Sequence, residues 1–132
     1  MGYPIVELRE WKRDVGAYVR AIEQVLIDTL ADFGIEGGRI PKLTGVWVDE
    51  RKIAAIGVHL SRWVTSHGFA LNVSTDLQYF KYIVPCGLSK PVTSMAQLGC
   101  GASWEEVAER VAANFGRIFE REMIPAGVFV RA

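Results

Sequence analysis

Apolar residues recur at steps of three and four between positions 15 and 33, which is the spacing of one face of an α-helix. Asp14 precedes this stretch and can accept hydrogen bonds from the first free amides, and Gly34 follows it and can end a helix. The sequence therefore predicts a helix whose buried stripe comprises Tyr18, Val19, Ile22, Leu26, Thr29, Leu30 and Phe33.

Beyond Gly37 and Gly38 the pattern changes to short apolar runs, which are typical of β-strands. Residues 45–48 and 52–60 predict two strands, and the polar residues 49–51 between them predict a hairpin turn. The second run is almost entirely apolar, so we expect both of its faces to be covered.

A third strand is predicted over residues 64–73, in which bulky and small residues alternate. Residues 4–8 near the start of the chain are a short β-like run, and residues 76–82 predict a short helical turn. In the third strand one face is bulky and the other nearly bare; the bulky face has Phe69, Leu71 and Val73, and the bare face has Gly68, Ala70 and Asn72.

A final helix is predicted to begin at Ser103, because Glu106 stands three residues later and the pair can form a capping box. Its predicted buried stripe is Trp104, Val107, Ala108, Val111, Phe115 and Phe119. Together these elements predict an α+β fold, in which a mixed β-sheet carries packed helices in a single domain.

Composition narrows the possible functions of this domain. The chain has 132 residues, and its 15 basic side chains balance its 15 acidic ones, which argues against a nucleic-acid or membrane-surface partner. No apolar run approaches the roughly 20 residues that cross a bilayer, so we expect a cytoplasmic protein. Two cysteines and two histidines fit no disulfide framework and no zinc spacing, so we expect no cofactor.

Cys86 is the first candidate for chemistry, because Pro85 and Gly87 hold it on a constrained turn with little bulk beside it. A free thiol has a pKa of about 8.5 and becomes a good nucleophile only when a neighbouring positive charge favours the thiolate. The alternative is a buried and inert loop cysteine.

Lys52 is the second candidate, because it begins an otherwise apolar strand. A lysine beside buried surface is desolvated more easily than one on a polar helix, and a desolvated lysine suits proton transfer. The alternative is a strand-end lysine whose ammonium reaches into water.

Small residues on two neighbouring strands are the third feature. Gly57 lies among them on one strand and Gly68 on the next, and glycine within a strand often marks close approach of a ligand or of another backbone. A groove for a ligand and ordinary tight packing of strands are both open. His67 precedes the second patch, and a lone histidine there is more often structural.

Taken together, these segments resemble the lipoyl(octanoyl) transferases of lipoate biosynthesis. The resemblance extends from Gly2 to Gly99 and continues more loosely through the last helix. Its ordered blocks are 45–48 (GVWV), 52–58 (KIAAIGV), 67–73 (HGFALNV), 85–88 (PCGL) and 92–95 (VTSM), after the opening GYPI at 2–5.

The resemblance implies a fold similar to the catalytic domain of biotin and lipoate protein ligases. It implies transfer of an octanoyl group from octanoyl-acyl carrier protein to a lysine of lipoyl domains, such as those of 2-oxoacid dehydrogenase complexes and the glycine cleavage H protein. In this comparison Cys86 forms the acyl thioester and Lys52 favours its thiolate. The acyl site implied by the resemblance is lined by Ala55, Ile56, Gly57, Gly68, Phe69 and Ala70.

Members of that family carry a further region before the segment that corresponds to Gly2 and Tyr3, so the resemblance implies that residues 1–132 are a single, incomplete catalytic domain. Two other functions remain open at this point. One is a non-catalytic fragment that associates through an open sheet edge. The other is an ATP-dependent ligase that activates free lipoate or octanoate.

Overall fold

The computed structural model describes residues 2, 4–6, 8, 11, 12, 14–74, 92–121 and 123. Within them the chain forms helix α1 (Val15–Asp32), strands β1 (Val46–Val48), β2 (Arg51–Ser61) and β3 (Val64–Leu71), and helix α2 (Trp104–Phe119). The strands form an antiparallel sheet in the order β1-β2-β3. An isolated parallel bridge joins Lys52 to Val92, so the predicted mixed pairing and α+β class are confirmed.

Helix α1 begins and ends where the sequence predicts. The Asp14 side chain accepts a 3.0 Å hydrogen bond from the Ala17 amide, and Gly34 follows the helix with φ of +78°. The predicted stripe is buried, except that Val19 and Phe33 are only half-buried.

Two tight turns connect the strands. Asp49 and Glu50 join β1 to β2 with φ of 48° and 68°, and Arg62 and Trp63 join β2 to β3 with φ of 52° and 67°. Two successive positive φ values are the signature of the type I′ turn, whose twist matches that of antiparallel strands. The first hairpin is therefore confirmed, although Arg51 belongs to β2 and not to the turn.

The expectation that both faces of β2 are covered holds at Ile53 and Ala54, two successive residues that are both buried, and is wrong from Ala55 onward. Ala55, Gly57 and His59 are exposed, whereas Ala54 is fully buried against the core. Successive strand residues point to opposite faces, so the helices cover one face of the hairpin and leave the other open.

The predicted β-like run near the start of the chain lies along the outer edge of β3. Gly2 and Phe69 exchange backbone hydrogen bonds of 2.8 and 2.9 Å, and the Thr65 amide donates to the Val6 carbonyl. β3 ends at Leu71, earlier than predicted. The Asn72 amide still donates to the Ile53 carbonyl, and beyond it the Met95 and Ala96 amides donate to the carbonyls of residues 72 and 73.

Helix α2 begins with the predicted capping box, in which Ser103 and Glu106 each accept a hydrogen bond from the other's backbone amide. The placement of Trp104 in the buried stripe is wrong, because this side chain is 44% exposed. Of the remaining stripe, Val107 and Phe119 are buried, whereas Ala108, Val111 and Phe115 are half-buried. The buried contact of α2 with α1 also includes Asn114, which is 4% exposed.

The hydrophobic core lies between the helices and the covered sheet face, and residues 95–107 complete it. The predicted helical turn at 76–82 and the Cys86 loop lie outside the described residues. The core is formed by Leu8, Tyr18, Ile22, Val25, Leu26, Leu30, Ile35, Val46, Val48, Ile53, Ala54, Phe69, Met95, Val107 and Phe119.

Candidate active site

Lys52 is half-buried at the start of β2, and a neighbouring segment of the chain lies on each side of it. On one side it is the register partner of Trp47 in β1, and its Nζ lies 5.5 Å from the centroid of the Trp47 ring. On the other side it forms the parallel bridge with Val92, and its carbonyl accepts a 2.8 Å hydrogen bond from the Thr93 amide. The predicted strand-end lysine therefore contacts an aromatic ring.

Gly45 leaves room for the Lys52 side chain. A Cβ at this position would lie 3.0 Å from Lys52 Cε, 3.2 Å from Trp47 Cη2 and 2.8 Å from the Ala54 carbonyl oxygen. The residue also has φ of +142°, a conformation that side chains rarely adopt. Glycine is therefore required here on both steric and conformational grounds.

A buried carboxylate fixes the position of Gly45 relative to α1. Glu23 is 4% exposed, and its Oε2 accepts a 3.0 Å hydrogen bond from the Gly45 amide. Its Oε1 accepts a 3.1 Å hydrogen bond from Arg39 Nε, which supplies the opposite charge that a buried carboxylate needs. Sequence reasoning missed Glu23, although a carboxylate within the apolar stripe of the helix was a usable signal.

Each of the two segments that flank Lys52 contains a buried polar atom without a hydrogen-bond partner among the described residues. These atoms are Trp47 Nε1 and Thr93 Oγ1, in side chains that are 4% and 0% exposed. An unsatisfied buried polar group costs about 1–3 kcal/mol, so such atoms are few in native proteins and call for an explanation at the site where they occur. Sequence reasoning quoted both residues in motif blocks but assigned neither a role.

The six residues predicted to line an acyl site are brought together by the β2–β3 pairing. Ala55 pairs with Ala70, Ile56 with Phe69, and Gly57 with Gly68. Because paired residues share a face and successive residues alternate, Ile56 and Phe69 face the helices while the other four belong to the open side.

Gly57 and Gly68 differ in their surroundings, although they are register partners. Nothing lies within 4 Å of a Cβ placed at Gly57. At Gly68 such a Cβ would lie 2.0 Å from the Gly2 carbonyl oxygen and 2.8 Å from Pro4 Cδ. Close approach of another backbone therefore explains Gly68, and open space adjoins Gly57.

An apolar cavity of about 820 Å³ lies on the bulky face of β3, on the side opposite Gly57. It separates β3 from α2, and Trp104 and Met123 stand at its rim, each close to half exposed. Its lining residues are Gly2, Pro4, Ile5, Phe69, Leu71, Val73, Trp104, Val107, Ala108, Val111, Ala112, Phe115 and Met123.

Cys86 and the side chain of His67 lie outside the described residues, so the pairing of Cys86 with Lys52 stays a prediction. Cys100 is a half-buried free thiol. In the described ranges no three His, Cys, Asp or Glu side chains are grouped to bind a metal ion. No described helix is long and apolar enough to span a membrane.

Comparison with known proteins identifies the family. The chain is 74% identical over its whole length to an octanoyltransferase of Solibacter usitatus and 52% identical over 128 residues to one of Gloeobacter violaceus. It spans only 60% and 58% of the lengths of these relatives.

The fold is similar to those of two ligases. A bipartite lipoate protein ligase of Thermoplasma acidophilum superimposes with a TM-score of 0.71 at 16% identity, over 86% of this chain and 49% of that one. The biotin protein ligase of Aquifex aeolicus gives 0.69 at 14% identity, over 89% and 50%. The model of the lipoyl protein ligase A/B catalytic domain matches residues 1–116, so the resemblance inferred from the motifs is confirmed, and the chain belongs to this family.

Proposed function

We propose that this chain belongs to an octanoyltransferase, which moves an octanoyl group from octanoyl-acyl carrier protein to a lysine of a lipoyl domain. The observation that carries the proposal is the 74% identity, along the whole chain, to the octanoyltransferase of Solibacter usitatus. Because the chain spans 60% of that relative, the activity and substrates of the whole relative are proposals for it. Cytoplasmic localisation and the two kinds of acceptor named above, dehydrogenase lipoyl domains and the H protein, belong to the same proposal.

In the first half-reaction the Cys86 thiolate attacks the carbonyl carbon of the octanoyl thioester. A new carbon–sulfur bond forms to Cys86, the bond to the carrier's sulfur breaks, and the leaving thiolate takes a proton from the Lys52 ammonium. One thioester replaces another, so the acyl group stays activated. The Trp47 ring, whose centroid lies 5.5 Å from Lys52 Nζ and whose face attracts a positive charge, supports the role of Lys52 as the nearby cation.

In the second half-reaction neutral Lys52 removes a proton from the ammonium of the acceptor lysine. The resulting amine attacks the thioester, an amide bond forms, and the Cys86 thiolate leaves. Lys52 is again an ammonium, and one further proton passes to water. Amide formation from a thioester is downhill, so this sequence needs no ATP.

The predicted acyl site is supported by the pairing of its two segments in register and by the open space beside Gly57. An octanoyl chain would gain about 0.8 kcal/mol for each methylene removed from water, provided that the site is dry. The apolar cavity on the other face of β3 is the alternative location for the octanoyl chain.

Intact mass spectrometry after incubation with octanoyl-acyl carrier protein tests the proposal. We expect one octanoyl group on the chain, mapped to Cys86, lost in Cys86→Ala and retained in Cys100→Ala. We also expect Lys52→Met to slow formation of the adduct. An adduct that forms equally well in Cys86→Ala would refute the mechanism.

Two outcomes would favour the other functions. Stimulation by ATP with free octanoate, together with no reaction from octanoyl-acyl carrier protein, would identify a ligase. Concentration-dependent self-association without any adduct, measured by size-exclusion chromatography with light scattering, would identify a non-catalytic fragment.

A further inference from the structure

Lys52 and Trp47 make a specific contact, which goes beyond the partial burial of the lysine. The two residues face each other across β1 and β2, and cross-strand partners project their side chains from the same face. The 5.5 Å between Nζ and the ring centroid lies within the roughly 6 Å over which an aromatic face attracts an ammonium. Because Trp47 is 4% exposed, water scarcely competes for that ring.

Gly45 borders the same lysine. Its α-carbon lies so close to Lys52 Cε and Trp47 Cη2 that a Cβ would meet them at 3.0 and 3.2 Å. The lysine stem therefore lies against bare backbone on one side and has its ammonium near the indole on another. Glu23 holds that backbone from α1 through its hydrogen bond to the Gly45 amide.

We propose that Gly45 and Trp47 form a lysine clamp, which fixes the Lys52 ammonium in place, and that Trp47 is a positioning residue of the transfer reaction. The inference rests on the proposed role of Lys52. The clamp restricts a long side chain that would otherwise sample many rotamers, and proton transfer depends on such placement. Trp47 Nε1 and Thr93 Oγ1, on either side of Lys52, have no hydrogen-bond partner among the described residues, and such buried polar atoms need an explanation at this place.

The clamp predicts a difference between Trp47→Phe and Trp47→Leu. Both substitutions shrink the side chain, but only phenylalanine keeps an aromatic face. We expect formation of the Cys86 adduct to slow roughly tenfold in Trp47→Leu and by much less in Trp47→Phe, because a desolvated cation–π contact is worth about one order of magnitude in an equilibrium. A purely structural role would give similar losses in both.

A second measurement follows the lysine directly and does not require activity. Lysines carrying ¹³C-methyl groups are observed by NMR, and Lys52→Arg identifies the Lys52 signal. In the unsubstituted chain and in Trp47→Phe, the ring current should shift this signal upfield. In Trp47→Leu it should move to the position of exposed lysines. An unshifted Lys52 signal in the unsubstituted chain would overturn the clamp.

If circular dichroism shows that Trp47→Leu does not fold, fluorinated tryptophan is incorporated in place of Trp47 instead. Fluorine withdraws electron density from the ring face with little change of shape, so Lys52 should become progressively less shifted as fluorine is added. No change across the series would contradict the proposal. Absence of any Cys86 adduct in the unsubstituted chain would refute the proposed function, whereas the NMR result would still decide on the clamp.

Discussion

The Asn114 side-chain amide in α2 donates a 3.1 Å hydrogen bond to the Thr29 hydroxyl in α1, and both side chains are buried. The same nitrogen donates at 3.0 Å to Asp32, and the Thr29 hydroxyl donates to the Val25 carbonyl. A polar network therefore fixes the contact between the two helices, in a place where apolar packing alone would allow them to slide.

Asn114→Ala should lower the free energy of unfolding by about 1–3 kcal/mol, because it leaves a small cavity and removes three hydrogen bonds: two that the amide nitrogen donates and one that Oδ1 accepts from Arg117. Urea denaturation followed by circular dichroism measures the change. Glu109→Ala, at an exposed position of the same helix, is the control and should change stability by less than about 0.5 kcal/mol. Equal effects of the two substitutions would show that the network contributes nothing.

Asp32 should make stability depend on pH in acid. Hydrogen bonds from Asn114 and then from Arg110 lower the pKa of this carboxyl below its ordinary value. A carboxyl whose pKa is lower in the folded state stabilises the fold above its unfolded pKa of about 3.9, and this contribution is lost as the pH falls through the folded pKa.

Asp32→Asn should therefore flatten the dependence of unfolding free energy on pH below about pH 4. Because Asp32 is exposed, we expect a modest effect that weakens further at about 1 M salt. An unchanged slope in the variant would mean that these hydrogen bonds do not favour the charged carboxylate.

The end of α2 that carries the capping box gives a third prediction. Ser103→Ala removes the hydroxyl that accepts the Glu106 amide at 3.1 Å, and the loss should be about 1 kcal/mol of unfolding free energy. Glu106→Gln keeps an oxygen that can accept the Ser103 amide, so it should cost clearly less. Thermal unfolding of the pair distinguishes capping from a general effect of substitution.

The limits of helix and strand were predictable where local chemistry decides them. Asp14 and Ser103 are capping residues by chemistry, and the alternation of small and bulky residues over 68–71 reflects one covered face. The Arg62 and Trp63 turn was not predictable, because neither residue favours positive φ and the pairing of long strands imposes it.

The candidate site was predictable in its residues but not in its contacts. Lys52 is recognisable from its strand and motif, whereas the approach of Trp47 and Gly45 depends on a register shift between Val46 and Trp47. Hydrophobic pattern does not specify such a shift. The exposure of Trp104 was missed for a related reason, since periodicity gives the stripe of a helix but not how far along it the neighbouring helix reaches.

The two glycines of the β2–β3 pair allow a matched test of stability. Gly68→Ala would place a methyl group on the Gly2 carbonyl, so the segment that contains Gly2 should separate from β3. Gly57→Ala meets nothing and should be neutral or slightly stabilising. We expect hydrogen exchange at the Phe69 amide, which donates to Gly2, to accelerate only in Gly68→Ala.

The face that accepts the acyl chain can be decided by filling each side in turn. Gly57→Leu would occupy the open face, where nothing lies within 4 Å of a Cβ, and Ala112→Leu would fill part of the apolar cavity between β3 and α2. If the acyl group lies beside Gly57, only Gly57→Leu should slow octanoyl adduct formation on Cys86. The rate at which an acetyl adduct forms on Cys86 should change little in the same variant. A short acyl group makes few of the contacts that are worth about 0.8 kcal/mol per methylene, so it has few to lose. In the reverse pattern, only Ala112→Leu would slow formation of the octanoyl adduct. That result would place the acyl chain in the cavity and remove Gly57 and Ala55 from the acyl site.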